Sequence, residues 1–60
     1  MKVDPIEVQK HLGGIDYPAT KEEIVSTAES NGAPQEIIEA LQELDREEFE
    51  GPNAVQAALS

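Results

Sequence analysis

Residues 20–44, TKEEIVSTAESNGAPQEIIEALQEL, predict two helices joined by a tight turn at Asn31, Gly32, Ala33 and Pro34. Glycine accepts the left-handed backbone that ends a helix, and proline suits the first position of the next helix. Apolar residues recur at helical spacing on both sides of this turn. We therefore expect a helix-turn-helix-like corner around which the rest of the chain packs.

Both helices of the corner carry signals for where they begin. Thr20 and Glu23 match a capping box, with Ala19 and Ile24 placed as the apolar pair beside it. Pro34 is predicted as the first residue of the third helix. The apolar face of that helix consists of Ile37, Ile38, Leu41 and Leu44. Its opposite face consists of Glu36, Glu39, Gln42 and Glu43.

A shorter helix is predicted before the corner, from about Pro5 to Leu12, and an extended linker follows it over residues 15–19. The linker is too short and too proline-restricted for a good strand, and we expect Ile15 and Tyr17 to turn inward from it. Asp4 is the expected N-cap of this helix, and the carboxylate of Glu7 can reach back to the cap. Val3 and Val8 are placed as an apolar staple, and Gly13 with Gly14 should end the helix.

After the corner, Phe49 is predicted to fill the core and Pro52 to begin a fourth short helix. Val55, Ala58 and Leu59 are expected to face inward from that helix. The predicted fold is all-α, a compact bundle of three to four short helices that forms one domain over residues 1–60. The predicted core consists of Ile6, Leu12, Ile15, Ile24, Val25, Ala28, Ile37, Ile38, Leu41, Leu44, Phe49 and Val55.

Thirteen acidic side chains against four basic ones give a formal net charge of −9. This charge repels phosphate backbones and anionic lipid headgroups, and it favours basic partners. There is no cysteine, so the chain can form neither a disulfide nor a thiolate metal site. No apolar run approaches the ~18 residues of a membrane helix and no signal peptide is recognisable, which predicts a cytoplasmic protein without a membrane partner.

The helix-turn-helix pattern raises the question of DNA binding. Such a motif needs Arg, Lys, Asn or Gln on the outer face of its second helix to read bases, and cations to neutralise phosphates. The outer face here offers three carboxylates and two glutamines, with no basic residue: Gln35, Glu36, Glu39, Gln42 and Glu43. Direct nucleic-acid binding is therefore not expected.

The same carboxylates continue into the following segment and form the candidate interaction surface. Its residues are Glu36, Glu39, Glu43, Glu47 and Glu48. Such a surface can dock a basic partner or imitate DNA toward a DNA-binding protein. Acidic runs are also commonly nothing more than solvated faces, and the sequence leaves these alternatives open.

Catalytic, cofactor and metal sites are not expected. His11, the one histidine, lies near the end of the first helix, where a cation suits the helix dipole. The serines and threonines have no general base arranged near them, and no acidic segment has the ligand spacing of a calcium loop. A domain this small should also have little room for a pocket of ~300 Å³ or more. The sequence thus predicts a protein that is not an enzyme.

Four segments carry a family resemblance: LGGIDYPATKEE at residues 12–23, NGAP at residues 31–34, residues 44–49, and G-P-x-x-V at residues 51–55. Together they resemble a small bacterial family known as domain of unknown function 2795. The resemblance implies a small helical bacterial domain, sometimes in tandem copies, and implies no catalytic residue, ligand or substrate. Family members often have proline after the leucine that closes the third helix. Asp45 stands there in this chain, so the third helix is free to run on.

The leading hypothesis from the sequence is a non-enzymatic protein–protein interaction module that uses the acidic third helix and the segment after it. Its partner would be an unidentified protein, for which the charge favours a basic one. The alternative is a helix-turn-helix-related regulator or a DNA mimic that acts on a nucleic-acid-binding protein. A third possibility is a domain that completes its thin core as a homo-oligomer.

Overall fold

The computed structural model describes residues 4–59. This part of the chain contains four helices and two very short strands, joined by turns and loops. In chain order the elements are α1 (Pro5–Lys10), β1 (Ala19–Thr20), α2 (Lys21–Ser30), α3 (Gln35–Gln42), β2 (Glu48–Phe49) and α4 (Pro52–Leu59). The protein is therefore mostly helical, and the extensive packing between α2 and α3 forms its centre.

The predicted corner between α2 and α3 is confirmed. Gly32 has a φ of +77°, which a residue with a Cβ rarely adopts. The Gly32 N–H donates to the Glu29 carbonyl at 3.1 Å, and the Ala33 N–H donates to the Ala28 carbonyl at 2.9 Å. These two bonds form a Schellman motif, which satisfies carbonyls that the helix end would otherwise leave free.

The prediction that Pro34 is the first residue of α3 is wrong by one position. Its ψ of 155° is extended, so Pro34 is the N-cap and the helix begins at Gln35. The Pro34 carbonyl accepts hydrogen bonds from the N–H groups of Ile37 and Ile38 at 3.0 and 3.1 Å. The third helix also does not run on past its leucine, because it ends at Gln42.

The capping box that begins α2 is confirmed. The Glu23 N–H donates to Thr20 Oγ1 at 3.1 Å, and the Thr20 N–H donates to Glu23 Oε1 at 2.9 Å. Thr20 consequently has the extended backbone of an N-cap, with φ −84° and ψ 162°.

The prediction of an all-α fold is wrong in one respect, because β1 and β2 pair as a two-stranded antiparallel sheet. Ala19 lies opposite Phe49 and Thr20 lies opposite Glu48. The physical reason is that capping already holds Thr20 extended, so its segment presents backbone groups that another extended segment can pair with. Residues 15–19, predicted as a linker without a strand, therefore end in one.

The buried core includes most of the residues expected in it. The fully or almost fully buried side chains are Val8, Leu12, Ala19, Ile24, Ala28, Ile37, Ile38, Leu41, Leu44, Phe49 and Val55. Phe49 has no exposed surface, as its role as the core aromatic required. Ile15, Tyr17 and Val25 pack against this core only partly buried.

Ile6 was wrongly assigned to the core, since it is 75% exposed. Residues two positions apart in a helix differ by about 200° around its axis, so Ile6 points away from the core when Val8 points into it. Ala58 is likewise exposed, although it was expected to face inward from α4.

Helix α1 is shorter than predicted and ends at Lys10. Asp4 caps it as expected, accepting the Ile6 N–H at 2.9 Å. The carboxylate of Glu7, expected to reach back to the cap, lies instead 3.9 Å from Lys10 Nζ. The staple between Val3 and Val8 involves a residue that lies outside the described part of the chain.

Replacing Phe49 by Ala should unfold most of the protein. Deleting a buried phenylalanine costs about 3–5 kcal/mol, which is comparable to the whole stability expected of a core this small. Circular dichroism against urea concentration would measure the loss. Glu50→Ala changes the exposed neighbour of Phe49 and should alter the free energy of unfolding by less than about 0.5 kcal/mol. Equal stability of the two variants would contradict the central role given to Phe49.

Candidate interaction surface

Helix α3 presents three carboxylates on the side opposite its buried residues. Glu36, Glu39 and Glu43 follow one another at spacings of three and four, so they share one face. All three are exposed, whereas Ile37 and Ile38 are buried. The amphipathic pattern that folds α3 against the core therefore also determines which side of the helix carries negative charge.

Glu47 and Glu48 add two exposed carboxylates after α3, on a segment whose backbone is fixed by α2 and β1. The Glu47 carbonyl accepts the Lys21 N–H at 2.9 Å, and Glu48 pairs with Thr20 across the two-stranded sheet. We use the name acidic surface for the set Glu36, Glu39, Glu43, Glu47 and Glu48.

The basic side chains of residues 4–59 make contacts within the fold and form no ion pair with this acidic surface. Lys21 Nζ donates to the carbonyls of Gln42 and Leu44 at 3.2 and 3.3 Å. The Arg46 guanidinium lies 5.3 Å from the centre of the Phe49 ring. In this part of the chain the pair of Lys10 and Glu7 is the only ion pair within 4.0 Å.

Lys21 provides the positive charge that the last turn of α3 lacks. The last turn of this helix contains no basic residue, although the carbonyls there carry partial negative charge. Lys21 supplies an ammonium from the first turn of α2 and thereby ties the start of one helix to the end of the other. Sequence spacing did not reveal this long-range cap, because the two ends are 21 residues apart.

His11 has the capping role that the sequence suggested. Its Nδ1 lies 2.8 Å from the Glu7 carbonyl, and because a carbonyl only accepts, Nδ1 carries the proton. The backbone carbonyl of His11 in turn accepts the side-chain N–H of Asn31 at 2.7 Å. Asn31 therefore joins the end of α1 to the end of α2.

Two surface grooves border α2, and their size contradicts the expectation of little pocket space. The first has a volume of about 590 Å³ and is lined by Gly14, Ile15, Asp16, Glu22, Glu23, Ser26 and Thr27. The second has a volume of about 780 Å³ and is lined by Thr20, Lys21, Glu22, Val25, Ser26, Glu29, Gln42 and Glu47. Both are open to solvent, so neither excludes water as an enclosed catalytic cavity does.

Tyr17 turns inward as expected, but sequence reasoning missed the state of its hydroxyl. Its hydroxyl is buried and has no hydrogen-bond partner among residues 4–59. Burial disfavours the phenolate, which raises the pKa of Tyr17 above its ordinary value. Burial at this position therefore favours the neutral phenol over the phenolate.

The described residues contain no cluster of metal-ligating side chains and no membrane-crossing helix. Between residues 4 and 59, no three His, Asp or Glu side chains are grouped so that they could hold a metal ion. No helix in this range is both long and apolar enough to cross a bilayer.

A family model described as "Protein of unknown function (DUF2795)" matches residues 3–56 of the 60-residue chain. The chain belongs to the DUF2795 family. No curated protein and no solved structure is significantly similar to it. The family resemblance carried by the LGGIDYPATKEE segment is thus confirmed, and the family name assigns no activity.

In this DUF2795 chain, replacing Lys21 by Met should lower the free energy of unfolding by about 1 kcal/mol. The variant keeps the aliphatic stem but removes the ammonium that caps α3. Lys10→Met is the matched control, because its exposed ion pair should contribute less than about 0.5 kcal/mol. Urea unfolding measures both, and an equal loss for the two variants would exclude a special role for Lys21.

Neutralising Glu43 should stabilise the fold, whereas neutralising Glu36 should not. Glu43 is the C-cap of α3 and faces Glu39 one turn earlier, so both the dipole and a like charge disfavour it. Glu36 lies in the first turn, where the dipole favours a carboxylate. At low salt, we expect Glu43→Gln to raise the free energy of unfolding by about 0.5 kcal/mol.

The same pair of variants provides its own control, since one substitution is made at both ends of one helix. The difference between Glu43→Gln and Glu36→Gln should shrink at about 0.5 M salt, because exposed charges are then screened. Chemical unfolding curves at both salt concentrations measure this. A difference that persists in high salt would point to packing rather than charge.

Proposed function

We propose that this protein is a non-enzymatic protein–protein interaction module that docks a basic partner through the acidic surface. The supporting observation is that its five carboxylates are exposed and that none lies within 4.0 Å of a basic side chain of residues 4–59. Neighbouring carboxylates on α3 repel one another and cost the isolated fold a few tenths of a kcal/mol per pair. A basic partner relieves that repulsion and is also drawn in at long range.

The chemistry of the remaining side chains supports a role without catalysis. His11, the one histidine, uses Nδ1–H to cap α1. Ser26 and Thr27 line a groove together with carboxylates and no imidazole. A nucleophilic hydroxyl needs a base within hydrogen-bond reach. Among the described residues, no hydrogen bond joins the hydroxyl of Ser26 or Thr27 to a carboxylate.

A second candidate function is imitation of DNA toward a DNA-binding protein. It is favoured by the position of the carboxylates, which occupy the outer face of the second helix of a helix-turn-helix-like corner. In DNA-binding proteins with that corner, this face reads bases and contacts the duplex. A regulator of this kind would act on a basic protein and not on nucleic acid itself, since its carboxylates repel phosphate.

A comparative pull-down from a lysate of the native host tests the docking proposal. Glu39→Gln/Glu43→Gln removes two charges from the acidic surface, and the control Glu7→Gln/Asp16→Asn removes two charges elsewhere. We expect the first variant to recover several-fold less of a partner that wild type and control retain equally. The same partner recovered equally by all three proteins, or none by any of them, would remove the proposal. Release of the partner by added duplex DNA distinguishes the mimic from simple docking.

A further inference from the structure

The second groove, which we call the α2–α3 groove, lies beside the acidic surface and has a volume of about 780 Å³. One wall is the exposed side of α2, and the other includes Gln42 at the end of α3 and Glu47 in the segment after it. A volume of this size accommodates several side chains, since ligand pockets commonly measure ~300–1,000 Å³. Glu47 belongs both to this groove and to the acidic surface.

The groove combines an apolar spot with a ring of carboxylates. Val25 is half-buried and lines the groove, and Glu22 and Glu29 lie three residues before it and four residues after it on the same face of α2. Glu47 lines the other wall. No basic side chain of residues 4–59 lies within 4.0 Å of these three carboxylates.

The end of α3 beside the groove is a cation-binding feature that Lys21 already occupies. The C-terminal end of α3 opens on the groove, and its last turn has no basic residue of its own. Helix C-termini favour positive charge because their free carbonyls carry partial negative charge. The groove in fact already holds one ammonium there, that of Lys21, which donates to the Gln42 and Leu44 carbonyls. Three carboxylates against this single lysine leave the groove with a net charge of about −2.

We propose that the α2–α3 groove binds a basic, partly apolar segment of a partner protein. This inference rests on the proposed docking function and specifies the partner. An apolar side chain of the segment packs on Val25, and flanking Arg or Lys side chains pair with Glu22, Glu29 and Glu47. Arginine suits these positions well, because its planar guanidinium can bind a carboxylate through two parallel hydrogen bonds.

The charge of the chain argues against a second copy as the occupant. Each copy carries a net charge of −9, and the three basic side chains of residues 4–59 already make contacts within the fold. Two such surfaces repel one another at an acidic groove. A partner of opposite charge gains both the ion pairs and the burial of Val25.

Two synthetic peptides of eighteen residues and equal positive charge test the proposal against the isotope-labelled full chain by NMR titration at low salt. One is an amphipathic peptide of leucine and lysine, and the other has serine in place of each leucine. We expect the leucine-containing peptide to shift the backbone amide signals of residues 20–29 and 42–47 and to bind more tightly. Val25→Ser should abolish the difference between the peptides, because it removes the apolar contact.

Charge variants complete the test. Glu22→Gln/Glu29→Gln should weaken binding of both peptides about fivefold, while Glu7→Gln/Asp16→Asn, with the same net charge, should weaken it much less. If only Glu39→Gln/Glu43→Gln weakened peptide binding, and only amide signals of α3 shifted, the groove would be excluded as the binding site and the acidic surface would remain as the docking site. Absence of shifts with either peptide would overturn both. Concentration-dependent shifts of the groove without peptide would identify a second copy as its occupant and overturn the basic partner.

Discussion

Thr20 must adopt an extended backbone to cap α2, and much of the long-range order of the chain depends on that requirement. Because Thr20 is extended, its segment pairs with β2, and Phe49 is held in the core opposite Ala19. One residue later, Lys21 uses its backbone N–H to bind the Glu47 carbonyl and its ammonium to bind the end of α3. A local rule of helix capping thereby joins α2, α3 and the segment between α3 and α4.

This arrangement explains why the carboxylates of the acidic surface form no ion pair with the basic side chains of residues 4–59. The basic groups that the structure describes act within the fold, where Lys21 caps a helix and Arg46 covers an aromatic ring. They are therefore not positioned to neutralise the outer face of α3. The negative potential of that face is a consequence of how the chain stabilises itself, and it remains free to act on other molecules.

The features that sequence reasoning predicted correctly depend on neighbours in the chain. The Thr20 capping box, the turn at Gly32 and the apolar face of α3 are each specified within a few residues, so their signals are local. The position of Phe49 was predictable because it is the one large apolar residue in a charged segment. Most other features depend on partners that are distant in sequence or on the facing of the short helices α1 and α4, whereas the shift of Pro34 from first helical residue to N-cap is a local error of one residue. Three features require α2 and residues 42–49 to meet, namely the pairing of β1 with β2, the Lys21 cap and the α2–α3 groove. The exposure of Ile6 depends on which side of α1 packs against the core.

The geometry of Gly32 has a consequence for how this corner can diverge among homologous chains. A Cβ added at Gly32 would meet no atom within 4 Å, so the site is spacious. Its φ of +77° nevertheless penalises any residue with a side chain, by roughly 1–2 kcal/mol. Substitution of Gly32 is therefore restricted by its left-handed backbone conformation and not by lack of space. Asparagine tolerates that conformation best after glycine, so it is the replacement that evolution accepts most readily.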